Sequence, residues 1–154
     1  MATRGIQLLK ERGIAFEVLT YRYDKMGARV AAEAIGQPEG IVLKSLVFQA
    51  DDRSFLFALV SGDVHVSLRS LGRASGHKHV EAASPRDAER ITGYQVGGIS
   101  PLGSRSALPV LIDEAATRHE SLIINAGGRG TLVRLATSDL IGITHAVVAD
   151  IRGI

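Results

Sequence analysis

Lys44 is the first residue whose setting suggests chemistry. It interrupts an apolar run, with Ile41-Val42-Leu43 before it and Leu46-Val47-Phe48 after it. A lysine in a central strand carries a desolvation cost unless it opens onto a polar cavity. Strand alternation puts it on one face with Val42 and Leu46. This run alone leaves two readings open: a cation facing a ligand pocket, or an edge-strand lysine that blocks aggregation. The second feature is the segment Thr92-Gly93-Tyr94-Gln95-Val96-Gly97-Gly98-Ile99-Ser100-Pro101-Leu102-Gly103. Paired glycines, Gly97 and Gly98, let backbone N–H groups approach a ligand and can form an anion-binding nest. Ser100 stands before Pro101, which pushes it towards an extended backbone able to present its hydroxyl. An isolated Gly-Gly is more commonly a plain surface turn. The spacings of a Walker loop and of a dinucleotide fingerprint are absent.

Other polar residues carry weaker signals. Asp139 follows Thr137, read as a helix N-cap, so its carboxylate lies in a first helical turn and suits the helix dipole. Tyr21 ends a strand with Tyr23 close by, a position usually taken for packing. The histidines form no metal-spaced pair on a helix. His77 and His79 could chelate if extended, but no acidic or third histidine partner is near in sequence, so no metal is expected. The chain has no cysteine, which excludes disulfides, thiolate metal sites and a cysteine nucleophile. No GxSxG elbow is present, which argues against a lipase-type triad. The inventory is a semi-buried lysine, a Gly-Gly-Ile-Ser-Pro loop, a tyrosine and an aspartate. It suits a pocket for an anionic or ester ligand and does not by itself define the reaction.

These residues need elements to position them. Thr3 caps a predicted helix to about Arg12, stopped by Gly13. Residues 15–21 alternate as a strand. Residues 28–35 read as a helix closed by Gly36. Residues 41–49 and 54–60 read as two strands of a hairpin. A helix over 67–74 and a short strand over 79–82 follow. Ser84, Pro85 and Asp87 mark a helix start at N-cap, N1 and N3, and that helix runs to Ile91. Strands are expected at 109–112, 121–125, 131–135 and 145–151, with a short helix capped by Thr137 before the last. Helices and strands intermingle without a strict βαβ period. The expected fold is mixed α/β (α+β): one compact domain over residues 1–154, its mixed, mostly antiparallel sheet flanked by short helices.

Composition bounds the rest. The 154 residues suit one domain, and an apolar fraction of 45% suits a real core. No run of 18 apolar residues occurs, and the first thirteen residues lack a continuous apolar stretch, so neither a membrane span nor a signal peptide is expected. Cytoplasmic localisation fits the lack of cysteine. The net charge is only +2, and no basic run exceeds two residues. An extended duplex-binding arm, and DNA as a partner, are not expected. Arginines outnumber lysines, which suits contact with an RNA end, although a GC-rich genome explains the bias at least as well.

Taken in order, the segments resemble the YbaK/ProX aminoacyl-tRNA editing family along nearly the whole chain. The strand Ile41-Val42-Leu43-Lys44-Ser45-Leu46-Val47 resembles the family's lysine strand. The stretch from Thr92 to Gly103 resembles its glycine loop. Gly127-Gly128-Arg129-Gly130 and Leu135-Ala136-Thr137-Ser138-Asp139-Leu140 resemble its C-terminal signature. Residues 24–29 (DKMGAR) depart from the family's pattern. The resemblance implies hydrolysis of mischarged tRNA(Pro), and the Gly97–Gly103 loop is most like the branch that removes cysteine; other branches clear alanine. It implies Lys44 as the essential residue, and Tyr21, Gly97, Gly98, Ser100 and Asp139 as substrate-binding residues, without a cofactor. The implied partners are the aminoacyl-tRNA acceptor end and prolyl-tRNA synthetase, which would supply tRNA identity. A catalytically silent RNA- or synthetase-binding module and a small-molecule esterase are the other function classes.

Overall fold

Local capping chemistry places most of the helices. In the computed structural model, which describes residues 3–153, Thr3 Oγ1 accepts from the Ile6 N–H and opens α1 (Arg4–Glu11), which buries Ile6 and Leu9. Met1, Ala2 and Ile154, the ends of the expected domain, lie outside the described residues. After β1 (Phe16–Thr20), α2 (Ala28–Ile35) ends on Gly36 in the left-handed conformation. A 3-10 turn (Glu39–Ile41) leads into β2 (Leu43–Ala50) and β3 (Phe55–Ser61), the expected hairpin. Next come α3 (Leu68–Ser75), β4 (Val80–Ala82) and α4 (Pro85–Thr92), the last opened by Ser84 Oγ accepting from the Asp87 N–H. The chain finishes with β5 (Val110–Asp113), β6 (Ser121–Gly128), β7 (Thr131–Ala136), α5 (Thr137–Thr144) and β8 (Val147–Ala149).

The fold class is the one expected, a single mixed α/β domain. The strands, however, form two sheets rather than one. One is antiparallel, in the order β1-β7-β6. The other runs β4-β2-β3-β5-β8, with its last two pairings parallel. Alternation explains how they stack. Leu43, Val47, Phe57, Leu59 and Ile112 of the larger sheet meet Leu122, Ile124, Val133 and Leu135 of the smaller one, forming the main core. The other face of the larger sheet (Phe48, Leu56, Ala58, Val60) packs on Leu71 of α3. The outer face of the smaller one (Ile123, Leu132) packs on Ala31 and Ala32 of α2.

Several boundaries differ from expectation: β2 starts at Leu43 rather than at residue 41, β6 runs on to Gly128, and both ends of the α5–β8 segment change. Thr137 is not the N-cap of α5. That position is Ala136, with no side-chain cap, while Thr137 Oγ1 donates to the His119 carbonyl across the sheet. The final strand is shorter than 145–151. His145 takes a left-handed conformation that closes α5, so pairing starts only at Val147.

Beyond β8 the chain is tied down by Asp113, which is fully buried. Its carboxylate accepts from Arg152 Nε at 2.7 Å and from the Ile151 N–H at 3.2 Å. Asp113→Ala would leave that buried N–H unpaired and free the guanidinium, which is partly exposed and can turn to water. The expected loss is about 2–4 kcal/mol of unfolding free energy, read by urea denaturation. A loss under about 1 kcal/mol would mean that Arg152 and Ile151 repack without cost.

Candidate functional site

β2 has an uncovered stretch of edge. Its first residues are tied to the smaller sheet by a bridge from Val42 to Ile123. Its far end pairs with β4, and the Val47 carbonyl accepts the Ala83 N–H at 3.0 Å. Between these two points no strand among the described residues covers its outer side. Peptide groups alternate along an antiparallel strand, so those of Ser45 point to the same outer edge as the Val47 carbonyl.

A cavity of about 440 Å³ follows this gap. Its lining takes Tyr21, Met26, Ala28, Ala31 and Leu132 together with Phe48, Ala82, Ala83, Pro85 and Ala88, and with Val96, Gly97, Ile99 and Asn125. The lining is mainly apolar. Among the described residues, Lys44 is its one cation, and none in the lining carries a carboxylate or an imidazole.

Lys44 is half-buried and, among the described residues, has no ion-pair partner. Burial pushes its ammonium below the usual lysine range, and Glu39 and Asp63 pull partly back. Both readings from the sequence therefore meet here: the lysine is on a strand edge, and that edge faces a cavity. Tyr21 lines the same cavity. Its phenol is pushed up by burial and, less, by Tyr23, and its N–H donates to the Gly130 carbonyl.

Gly97 also lines the cavity. Its φ is +93°, and a Cβ there would run into the hydroxyl and ring of Tyr23, so the position requires glycine twice over. The remaining site residues expected from sequence lie outside the lining. Gly98 donates its N–H to the Gln95 carbonyl at 2.8 Å, and its bare Cα packs on the Gly128-Arg129 backbone. Ser100 is fully buried, its Oγ accepting from the Leu102 N–H at 3.0 Å. Asp139 lies in the first turn of α5, away from the cavity. Tyr21, Lys44 and Gly97 thus come together in the lining, and Gly98, Ser100 and Asp139 lie outside it.

Two lining residues escaped the sequence reading. Asn125 sits at an irregularity in β6. Its Nδ2 donates to the Gly97 carbonyl at 3.2 Å, and its Oδ1 accepts from the N–H groups of Gly127 and Gly128. It fastens the glycine loop to the smaller sheet. An Asn just before Ala-Gly-Gly was the available signal. Ser45 contributes a buried hydroxyl with no hydrogen-bond partner among the described residues. The acidic partners missing for His77 in sequence come from the β2–β3 turn, with Asp51 at 3.4 Å and Asp52 at 4.0 Å. The carboxylates are largely exposed, and none of the three lines the cavity.

Chemically, the cavity offers one cation, a phenol, a hydroxyl and a glycine-loop backbone within apolar walls. It can bind an ester and favour developing negative charge on its carbonyl oxygen.

A sequence profile described as the aminoacyl-tRNA editing domain matches residues 24–143. EbsC of Enterococcus faecalis, provisionally named a Cys-tRNA(Pro)/Cys-tRNA(Cys) deacylase, is 28% identical over 97% of this chain and 92% of its own length. A proline–tRNA ligase of Trichlorobacter lovleyi is 30% identical over 67% of the chain, which spans only 18% of that ligase. A solved structure, provisionally described as a trans-editing enzyme for prolyl-tRNA synthetase, superposes with a TM-score of 0.88 at 27% identity, covering 100% of this chain and 99% of that one.

Proposed function

The chain belongs to the aminoacyl-tRNA editing domain family, and from that premise we propose that it hydrolyses mischarged tRNA(Pro) in trans, with Cys-tRNA(Pro) as its substrate. The observation that carries this reading is the cavity's chemistry: one cation, Lys44, inside apolar walls without a carboxylate or imidazole. Among the described residues such a pocket offers no carboxylate or imidazole to activate a water, which fits a substrate that brings its own nucleophile. The cysteinyl thiol attacks its own ester carbonyl. A sulfur–carbon bond forms, the carbon–oxygen bond to the ribose breaks, and the thiol proton ends on the ribose hydroxyl. Water then opens the cyclic thioester and releases cysteine. Lys44 holds the ester carbonyl as charge develops on its oxygen, and the Gly97 backbone seats the aminoacyl end. EbsC's name is compatible with this substrate. The kinship with a proline–tRNA ligase suggests a synthetase partner that supplies tRNA identity.

The test is single-turnover deacylation of tRNA(Pro) carrying cysteine, serine or alanine. Serine is the informative control, because it matches cysteine in shape and is a far poorer nucleophile at neutral pH. Release of cysteine at least about tenfold faster than serine is expected, since a step depending on the substrate's nucleophile tracks its reactivity. Equal rates would point to attack by a positioned water, and faster release of alanine would move the chain to a different substrate branch.

A further inference from the structure

The mouth of the cavity carries an exposed arginine that is nonetheless held in place. Arg129 follows the Gly127-Gly128 pair in the turn between β6 and β7. Its Nε donates to the Val96 carbonyl at 2.9 Å, and its guanidinium lies over the Tyr23 ring at 5.2 Å from the centroid. Val96 lines the cavity, and Tyr23 abuts Gly97, which also lines it. The guanidinium therefore sits on the rim, its orientation fixed by a hydrogen bond and a ring. Among the described residues it has no carboxylate partner within ion-pair distance. Exposed arginines normally move freely or meet an acid, as Arg29 meets Glu33 on α2. Arg22 and Lys25, between the lining residues Tyr21 and Met26, are exposed and likewise without an ion pair among the described residues; the acids nearby are Asp24 in the same segment and Glu89, whose Oε2 accepts the Val96 N–H.

A fixed planar fork with its Nη groups directed away from the Nε bond is arranged for an oxyanion of matching geometry. Because its rotamer is already set, little side-chain entropy is lost on binding. On the editing reading, on which this inference rests, the ester enters the cavity and the ribose carrying it leads back to a phosphodiester at the mouth. We propose that Arg129 binds that phosphodiester, so that the rim arginine holds the phosphate and Lys44, deeper in, is left for the ester carbonyl. Tyr23, with one face under the guanidinium, serves as its platform.

The alternative is that Arg129 is only a latch for the Val96 loop, and two substitutions separate the roles. Arg129→Gln keeps a donor for the Val96 carbonyl and removes the charge. Arg129→Lys keeps the charge and loses the fork. Binding is measured with two non-hydrolysable probes between 50 and 200 mM potassium chloride: an acceptor-stem RNA ending in an amide-linked aminoacyl group, and the amide-linked aminoacyl nucleoside, which has no phosphate. For the RNA, Arg129→Gln should weaken binding about fivefold at low salt and reduce the slope of log K against log salt by about 0.7, the value of one single-stranded phosphate contact. Arg129→Lys should keep most of the slope. All three proteins should bind the nucleoside alike. An unchanged slope in Arg129→Gln, or an equal loss on both probes, would make Arg129 a latch and overturn the proposal. If the parent protein bound neither probe, the editing reading would fail first and this proposal with it.

Discussion

Lys44→Ala is expected to lower deacylation of the preferred mischarged tRNA by about 10²–10³-fold, the value of one donor aimed at a developing oxyanion, while thermal melting stays at or slightly above the parental value. The two halves of this expectation share one cause. Lys44 stands among Val42, Leu43 and Leu46 without an ion-pair partner among the described residues, so its charge is held at a desolvation cost. Removing it removes that cost along with the catalytic contact. The pH dependence follows in sign. Burial lowers the pKa of Lys44 in the folded state, so the unfolded chain binds more protons between the lowered and the ordinary lysine values. Stability contributed through Lys44 therefore rises with pH across that window. On the proposed mechanism, which uses the cation, activity should fall as pH climbs through the lowered value. Lys44→Arg keeps a charge but brings a bulkier planar group, and a point-charge role in a narrow cavity should survive it poorly. Melting and single-turnover rates on the same preparations check the set. A Lys44→Ala protein that melts normally and deacylates at the parental rate would reduce Lys44 to an edge-strand lysine.

Gly97→Ala should be the second most damaging change, lowering kcat/KM by about ten- to a hundredfold. A residue with a Cβ at φ +93° costs about 1–2 kcal/mol, and here the new methyl also meets the Tyr23 ring. Either the loop leaves its cavity-lining conformation or Tyr23 swings away from Arg129. If only a tenth to a hundredth of molecules keep the competent loop, the apparent affinity falls by the same factor. Gly142→Ala is the control. It lies inside α5, where a Cβ meets nothing within 4 Å, and should stabilise the fold by about 0.5–1 kcal/mol. Parental activity in Gly97→Ala would show that the loop's conformation is not needed for the reaction.

The features that could be read from sequence are those governed by neighbours in the chain. Thr3, Ser84 with Pro85 and Asp87, and Gly36 act within a turn of the helices they bound, and each holds its expected place. The hairpin of β2 and β3 is equally local. The division into two sheets is not, because β3, β5 and β8 pair in parallel across connections of 48 and 33 residues. Within the site, Lys44 stood out because a cation in an apolar strand is anomalous whatever surrounds it. Asn125 did not, since its work depends on the β6 irregularity that brings it beneath Gly97. Ser100 shows the converse. A hydroxyl before proline suits either a ligand or a turn, and the structure commits it to the Leu102 N–H. Thr137 likewise had a local use as a cap but is drawn instead to the carbonyl of His119, eighteen residues away.

The uncovered edge of β2 bears on how the molecule behaves in a crowded solution. Unpaired strand edges recruit other strands, and long ones seed aggregates. Here the bridge at Val42 and the pairing at the Val47 carbonyl leave only a short stretch of edge around Ser45 between them. That length is too short to template a foreign strand, and cavity walls on both sides keep one from approaching. It is still long enough for a single amide or amine of a small ligand to complete the interrupted ladder. An extended peptidomimetic carrying one such unit would be matched to this edge, and chains able to propagate a sheet would be turned away.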